Sequence, residues 1–179
     1  MKPAVLVIDV INDFVSGVMG SERSSDVIKP IKRLLDYARN HGIPVIYSSD
    51  SHNSDDRELK LWPEHAMEGS WGAQVVDEIK PKPGDHQVKK HSYSAFHESE
   101  LDELLKGLGV DAVILTGIVT NICVQHAAAD AFFHGYDVIV PEDCVQARTE
   151  MDQEAGLRYM HRNYGAKITT SEAFMKKTL

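Results

Sequence analysis

Cysteine is scarce in this sequence: 179 residues hold only Cys123 and Cys144. Two thiols are too few for a disulfide-stapled scaffold, and without a C-x-x-C spacing a structural zinc ribbon is excluded. Long apolar runs are also missing. The first apolar segment is too short for a signal-peptide core or a membrane span. Basic residues are outnumbered, 19 against 27 acidic, for a net charge of −8. Those present are scattered or short, as in Lys176-Lys177, so the clustered cations that bind nucleic acid are lacking. These features place the protein in the cytoplasm, where thiols stay reduced. The composition, 42% apolar and 26% charged, is that of a globular chain. The length suits one α/β domain over residues 1–179.

Short apolar runs alternate with longer amphipathic stretches. Strands are predicted at Ala4–Val10, Ile43–Ser48, Gln87–Lys89, Ala112–Thr116, Asp137–Pro141 and Lys167–Thr169. Helices are predicted at Ser25–Asn40, Ser99–Leu108, Cys123–His134 and Glu150–Asn163. Continuous apolar strands separated by helices imply a parallel sheet covered on both faces. Residues 49–73 form a long polar loop with two Trp and two His, and a loop of this length in a compact domain is commonly functional.

In such sheets ligands bind beyond the carboxyl ends of the strands, which directs attention to Asp9, Asp50, Lys90 and the turn Gly117–Cys123. Asp9 follows an apolar run; it is either a turn aspartate or a carboxylate held beside a cation and used as a base. Lys90 is either solvated or the partner of such a carboxylate, and strand alternation sends Lys89 to the opposite side. Cys123 is either an inert buried thiol or a nucleophile. At the start of a helix, backbone N–H groups and the dipole are expected to lower its pKa and to hold an oxyanion. Cys144 reads as structural. Asp50-Ser51-His52 leaves a strand with its Asp and His on one side. With a third ligand from the same loop it makes a set suited to zinc, iron or manganese, although polar loop residues are the ordinary account of it. His126, one turn after Cys123, faces either a pocket or a subunit contact. His91, His97 and His134 are expected at the surface.

Four segments together resemble the isochorismatase-like cysteine hydrolases, and among them the nicotinamidases. They are V-I-D-V-I-N-D-F (residues 7–14), K-H-S-Y-S-A-F (90–96), T-G-I-V-T-N-I-C-V (116–124), and D-S-H (50–52) with W-P-E-H (62–65). The resemblance implies a three-layer αβα, Rossmann-like fold with a mainly parallel, roughly six-stranded, doubly wound sheet. It implies Cys123 as nucleophile, Asp9 as general base and later acid, and Lys90 as electrostatic partner. Asp50, His52 and His65 would bind a metal, zinc or else iron or manganese. Phe14 and Trp62 would sandwich an aromatic ring, with Tyr93 lining the pocket. A cis peptide at Ile118-Val119 would aim the N–H groups of Val119 and Cys123 at the oxyanion. Its partners would be a small amide substrate and further copies of itself, with no nucleic acid and no membrane.

Two departures bear on the substrate. Ala66 replaces a Cys that often follows the metal His in nicotinamidases, and residues 53–61 offer Asp55, Asp56 and Glu58 as rival ligands. A metal-free hydrolase of a carbamoyl or ureido amide is the alternative, and a non-catalytic oligomeric binding subunit is the other.

Overall fold

The computed structural model describes residues 1–177. Seven strands, β1 (Pro3–Ile8), β2 (Val45–Asp50), β3 (His86–Lys90), β4 (Ala112–Ile118), β5 (Asp137–Pro141), β6 (Val145–Gln146) and β7 (Lys167–Thr169), form one sheet. Its order is β3-β2-β1-β4-β5-β7, with β6 also on β4. Every pairing is parallel. β5 pairs with the first half of β4 and β6 with its end, at Gly117 and Ile118.

Helices cover both faces, as the apolar runs require. β4 is buried at every position and β1 at all but its first. Alternate side chains feed two cores. On one face Val5, Val7 and Ile114 meet α2 (Ile28–Asn40) and α6 (Ser171–Lys177). α2 presents Ile31, Leu34, Leu35 and Ala38, a helical stripe in which each large side chain contributes about 1.5–3 kcal/mol on burial. On the other face Leu6, Ile8 and Leu115 meet α3 (Leu101–Gly107), α4 (Gln125–Phe133) and α5 (Glu150–Tyr164). Small side chains of α4, Ala127, Ala128 and Ala131, let it lie close to the sheet.

The differences from the sequence reading are local. β1 stops at Ile8 rather than Val10, because Asp9 adopts φ 52°. α2 begins at Ile28, after a 3-10 turn at Ser24–Val27. The segment carrying Cys123 turns helical at Thr120, through a π-helical turn Thr120–Val124, so Cys123 is not the first helical residue. A short α1 (Asn12–Val15), β6 and α6 lack enough residues to display a period.

Gly117 is required by contact as well as by conformation. At Gly117 φ is +120°, and a Cβ there would overlap the carbonyl oxygen of Ile8. β4 and β1 approach this closely where both chains leave the sheet. Gly117→Ala is therefore expected to cost more than about 2 kcal/mol, read as a lowered urea midpoint. An unchanged midpoint would contradict the contact.

Candidate active site

β3, β2, β1 and β4 are neighbours in the sheet, so their carboxyl ends lie side by side. Asp50 is directly opposite Lys90 in the β2–β3 register, and Asp9 follows Ile8, which pairs with Ser48. The register alone brings the three charges together. Lys90 Nζ lies 2.7 Å from Asp9 Oδ2. It donates to Asp50 Oδ1 at 2.5 Å and to the Ser92 carbonyl at 3.0 Å. The other oxygen of Asp9 accepts the backbone N–H of Asp50 at 2.8 Å. Lys90 and Asp9 are 0% exposed and Asp50 is 1% exposed. Lys89, as alternation predicts, points outward and pairs with Glu68.

Cys123 joins this group. A carboxylate oxygen of Asp9, one of Asp50 and the Cys123 sulfur all lie within 4.8 Å of one another. The Ile118-Val119 peptide is cis. Expectation and structure part over the thiol. Burial, with Asp9 and Asp50 beside it, pushes the Cys123 pKa well up, and Lys90 opposes this only in part. The helix-start argument omitted two buried carboxylates. The shift favours the protonated thiol, with an oxygen of Asp9 close to the sulfur. Burial and the Asp50 charge raise Asp9 to about 6, against the pull of Lys90. Asp50 moves the other way, because the pull of Lys90 and His52 outweighs its burial.

Beside Asp9, Lys90 and Cys123 lies a narrow pocket bordered by Phe14, Trp62, Tyr93, Val119 and Cys123. Trp62 Nε1 donates to the Tyr93 hydroxyl at 2.9 Å. Ser94 of the same motif donates to Asp130 of α4 at 2.5 Å, tying the Tyr93 segment to the helix that follows Cys123. Met19, Ile122 and Arg148 also border the cavity, and the sequence reading missed all three. The Arg148 guanidinium sits 5.5 Å from the Trp62 ring centroid. It follows β6, a two-residue strand that carries no readable pattern.

A second cluster shares Asp50. One donor atom each from Asp50, His52, Glu58 and His65 lies within 4.8 Å of the others, and all four residues are buried. His52 Nδ1 donates to Asp56 at 2.8 Å and His65 Nδ1 to the Pro63 carbonyl at 2.7 Å. Each ring thereby keeps Nε2 for a ligand. Asp50 Oδ2, His52 Nε2 and Glu58 Oε1 have no hydrogen-bond partner among the described residues. Burial disfavours a charge on His52, yet Asp50, Asp56 and Glu58 raise its pKa to about 9. Burial, with Asp50 nearby, raises Glu58 to about 7. Unpartnered oxygen and nitrogen donors that must otherwise hold protons fit a divalent cation. Of the rival acids, Glu58 joins the cluster, Asp56 supports His52 from behind, and Asp55 is exposed.

The remaining motif residues have plain roles. Asp13 Oδ2 accepts the N–H of Ala66 at 2.8 Å, which holds the residue after His65 at φ 47°. His126 is exposed, 5.4 Å from the Tyr93 ring. His91, His97 and His134 are at the surface, as expected. Cys144 is fully buried.

The raised pKa of Asp9 has a measurable consequence. Its folded value of about 6 exceeds the ordinary 3.8, so the folded chain binds this proton more tightly than the unfolded chain. Its contribution to stability is largest below about pH 4 and is lost as pH rises towards about 6. Across that window the urea stability of the wild-type protein, minus that of Asp9→Asn, is expected to fall as pH increases. A flat or rising difference would contradict the assignment.

Comparison with known proteins agrees with this geometry. Residues 3–173 match the family model described as the Isochorismatase domain. The chain is similar in structure to N-carbamoylsarcosine amidase from Thermoplasma acidophilum, at 40% identity and a TM-score of 0.91, covering 96% of this chain and 98% of that one. It is similar to the pyrazinamidase of Pyrococcus horikoshii in complex with zinc, at 25% identity and a TM-score of 0.88, covering 95% and 99%. In sequence it is 33% identical to the ureidoacrylate amidohydrolase RutB of Caulobacter segnis, covering 94% of this chain and 83% of that protein. With a matching family model over nearly its whole length and these buried groups at its strand ends, the chain belongs to the isochorismatase family.

Proposed function

We propose that this chain is a cysteine amidohydrolase acting as one domain on a small planar amide, with nicotinamide as the leading substrate. The observation that supports it most is the meeting of Asp9, Lys90 and Cys123 beside an aromatic-walled cavity. Asp9 takes the proton of the Cys123 thiol while the Lys90 ammonium steadies the negative charge on the sulfur. The sulfur bonds to the amide carbon, and the oxyanion is met by the N–H groups of Val119 and Cys123. The C–N bond breaks, and ammonia leaves with the proton that Asp9 held. Water then gives a proton to Asp9 and adds to the thioester. The C–S bond breaks, the acid departs and the thiol regains its proton.

Phe14 and Trp62 hold the ring on its faces, and Tyr93 fixes Trp62 through the hydrogen bond between them. Asp50, His52, Glu58 and His65 would hold the metal, with zinc the first choice for a two-nitrogen, two-oxygen set and iron or manganese the alternatives. When bound, the cation supplies a Lewis-acidic anchor for the ring nitrogen, so its part is orientation.

Arg148 favours a second reading. A guanidinium at the edge of this pocket suits a substrate with a carboxylate, as a carbamoyl or ureido acid has. A location in the cytoplasm, assembly into homo-oligomers, and a small molecule rather than nucleic acid or membrane as partner complete the reading. An acidic net charge of −8 supports this, as do the exposed rings of Phe132, Phe133 and Tyr159, which suit self-association. No helix among the described residues is long and apolar enough to cross a membrane.

Cys123→Ala is expected to abolish ammonia release while ligand still binds; unchanged turnover in that variant removes the mechanism. Ammonia release from nicotinamide, pyrazinamide and ureido acids, after chelation and with zinc returned, separates the two substrates. Nicotinamide turnover that falls on chelation and returns with zinc supports the first. Turnover of a ureido acid that ignores chelation and is lost in Arg148→Ala supports the second.

A further inference from the structure

Gln153 lies on α5, in a stretch whose composition suggests a solvated face, yet it is 7% exposed. Its amide ties α5 to two other segments. Oε1 accepts the Thr120 hydroxyl at 2.7 Å and the backbone N–H of Ala147 at 2.8 Å, while Nε2 donates to the Val145 carbonyl at 3.0 Å. Thr120 opens the π-helical turn that carries Cys123. Val145 belongs to β6, which pairs with Gly117 and Ile118 at the end of β4. Ala147 precedes Arg148, at the cavity. One turn further along α5, a Cβ at Gly156 would lie 3.3 Å from both Asn121 Cα and Thr120 Cγ2. The helix therefore abuts the same turn at two points.

We propose that Gln153 is a positioning residue, which sets the Cys123 turn against Asp9 and at the same time sets the approach to Arg148. The inference rests on the reading of Cys123 as nucleophile. The reasons are physical. The backbone N–H groups of Ile122 and Val124 both return to the Val119 carbonyl, so the turn is closed on itself and needs an external reference to hold its sulfur within about 0.5 Å of a working place against Asp9. A buried amide with both ends bonded is a rigid reference, since losing any of the three bonds strands a buried donor or acceptor. Within the turn, Thr120 gives its hydroxyl to Gln153, which makes that contact the polar tie between turn and helix. The same amide makes the position of Arg148 depend on that of the cysteine turn, so pocket and nucleophile move as one unit.

The test compares Gln153→Leu, which removes all three bonds, with Gln153→Glu, which keeps the acceptors for Thr120 and Ala147 and loses the donor to Val145. The substrate-independent probe is iodoacetamide alkylation of Cys123 in the folded chain, followed by peptide mass. For Gln153→Leu the rate is expected to fall about tenfold and kcat about a hundredfold. KM for a neutral amide is expected to change less than about threefold. Gln153→Glu should restore part of both losses. A merely structural glutamine would lower the melting temperature and leave alkylation and kcat per folded molecule unmoved. That result, with Gln153→Leu native by circular dichroism, would overturn the proposal. If Gln153→Leu does not fold, Gly156→Ala presses on the turn from the second contact and should also slow alkylation; an unaltered rate there counts against the proposal equally. Cys123→Ala, assayed in parallel, separates the two possible failures. Retained turnover in it removes the nucleophile reading, whereas an inactive Cys123→Ala beside a fully active Gln153→Leu removes only the role of Gln153.

Discussion

An ammonium group sits in the dry interior of this protein, with oxygens of Asp9, Asp50 and Ser92 around it. Taking a lysine out of water costs several kcal/mol, and an ion pair offsets that only when the geometry is close and the remaining protons are bonded. Here they are. Two carboxylates face one cation, however, and the extra negative charge has to be accommodated nearby. Burial, and after it the Asp50 charge, makes Asp9 hold its proton more tightly. Burial, with the two carboxylates adding to it, likewise favours the thiol form of Cys123. Asp50 keeps its charge, with one oxygen on Lys90 and the other turned towards His52.

That division makes Asp50 the common member of two sites. Its first oxygen belongs to the charge group beside the sulfur, its second to the cluster of His52, Glu58 and His65. A carboxylate shared in this way gives the two halves of the pocket one fixed point, and the backbone N–H of Asp50 bonded to Asp9 makes that point stiffer. The parallel sheet is what allows it. Strands lying next to one another, β3, β2, β1 and β4, arrive from distant parts of the chain and stop at one edge. Each contributes one group at a height set by register.

How much of this was readable depended on whether the signal was local. Strand alternation separates Lys90 from Lys89 without coordinates, and the D-x-H step places Asp50 and His52 on one side; both hold in the structure. Glu58 was visible only as one acid among three, because a 3-10 turn from Arg57 to Lys60 has no period from which to read the buried position. Arg148 and Gln153 were missed for a related reason. β6 has two residues, and the helix after it has a mostly polar sequence whose buried positions are Gln153, Gly156 and Met160, only one of them a large apolar side chain. The state of the thiol was misjudged because a helix start is a local cue, whereas the burial that outweighs it, with the carboxylates just after β1 and at the end of β2, arises only in the assembled sheet.

The sequence by itself determined the alternation of strands and helices, the coverage of the sheet on both faces, and which residue types stand at the strand exits. Those follow from hydrophobic periodicity and from motifs a few residues long, which act over one turn or one strand. Tertiary structure alone decided which exits are neighbours, which carboxylate has its pKa raised and which lowered, and which of several acids turns inward. Electrostatic energy depends on distances through space and on the water removed between charges, and neither quantity is written in the order of residues along the chain.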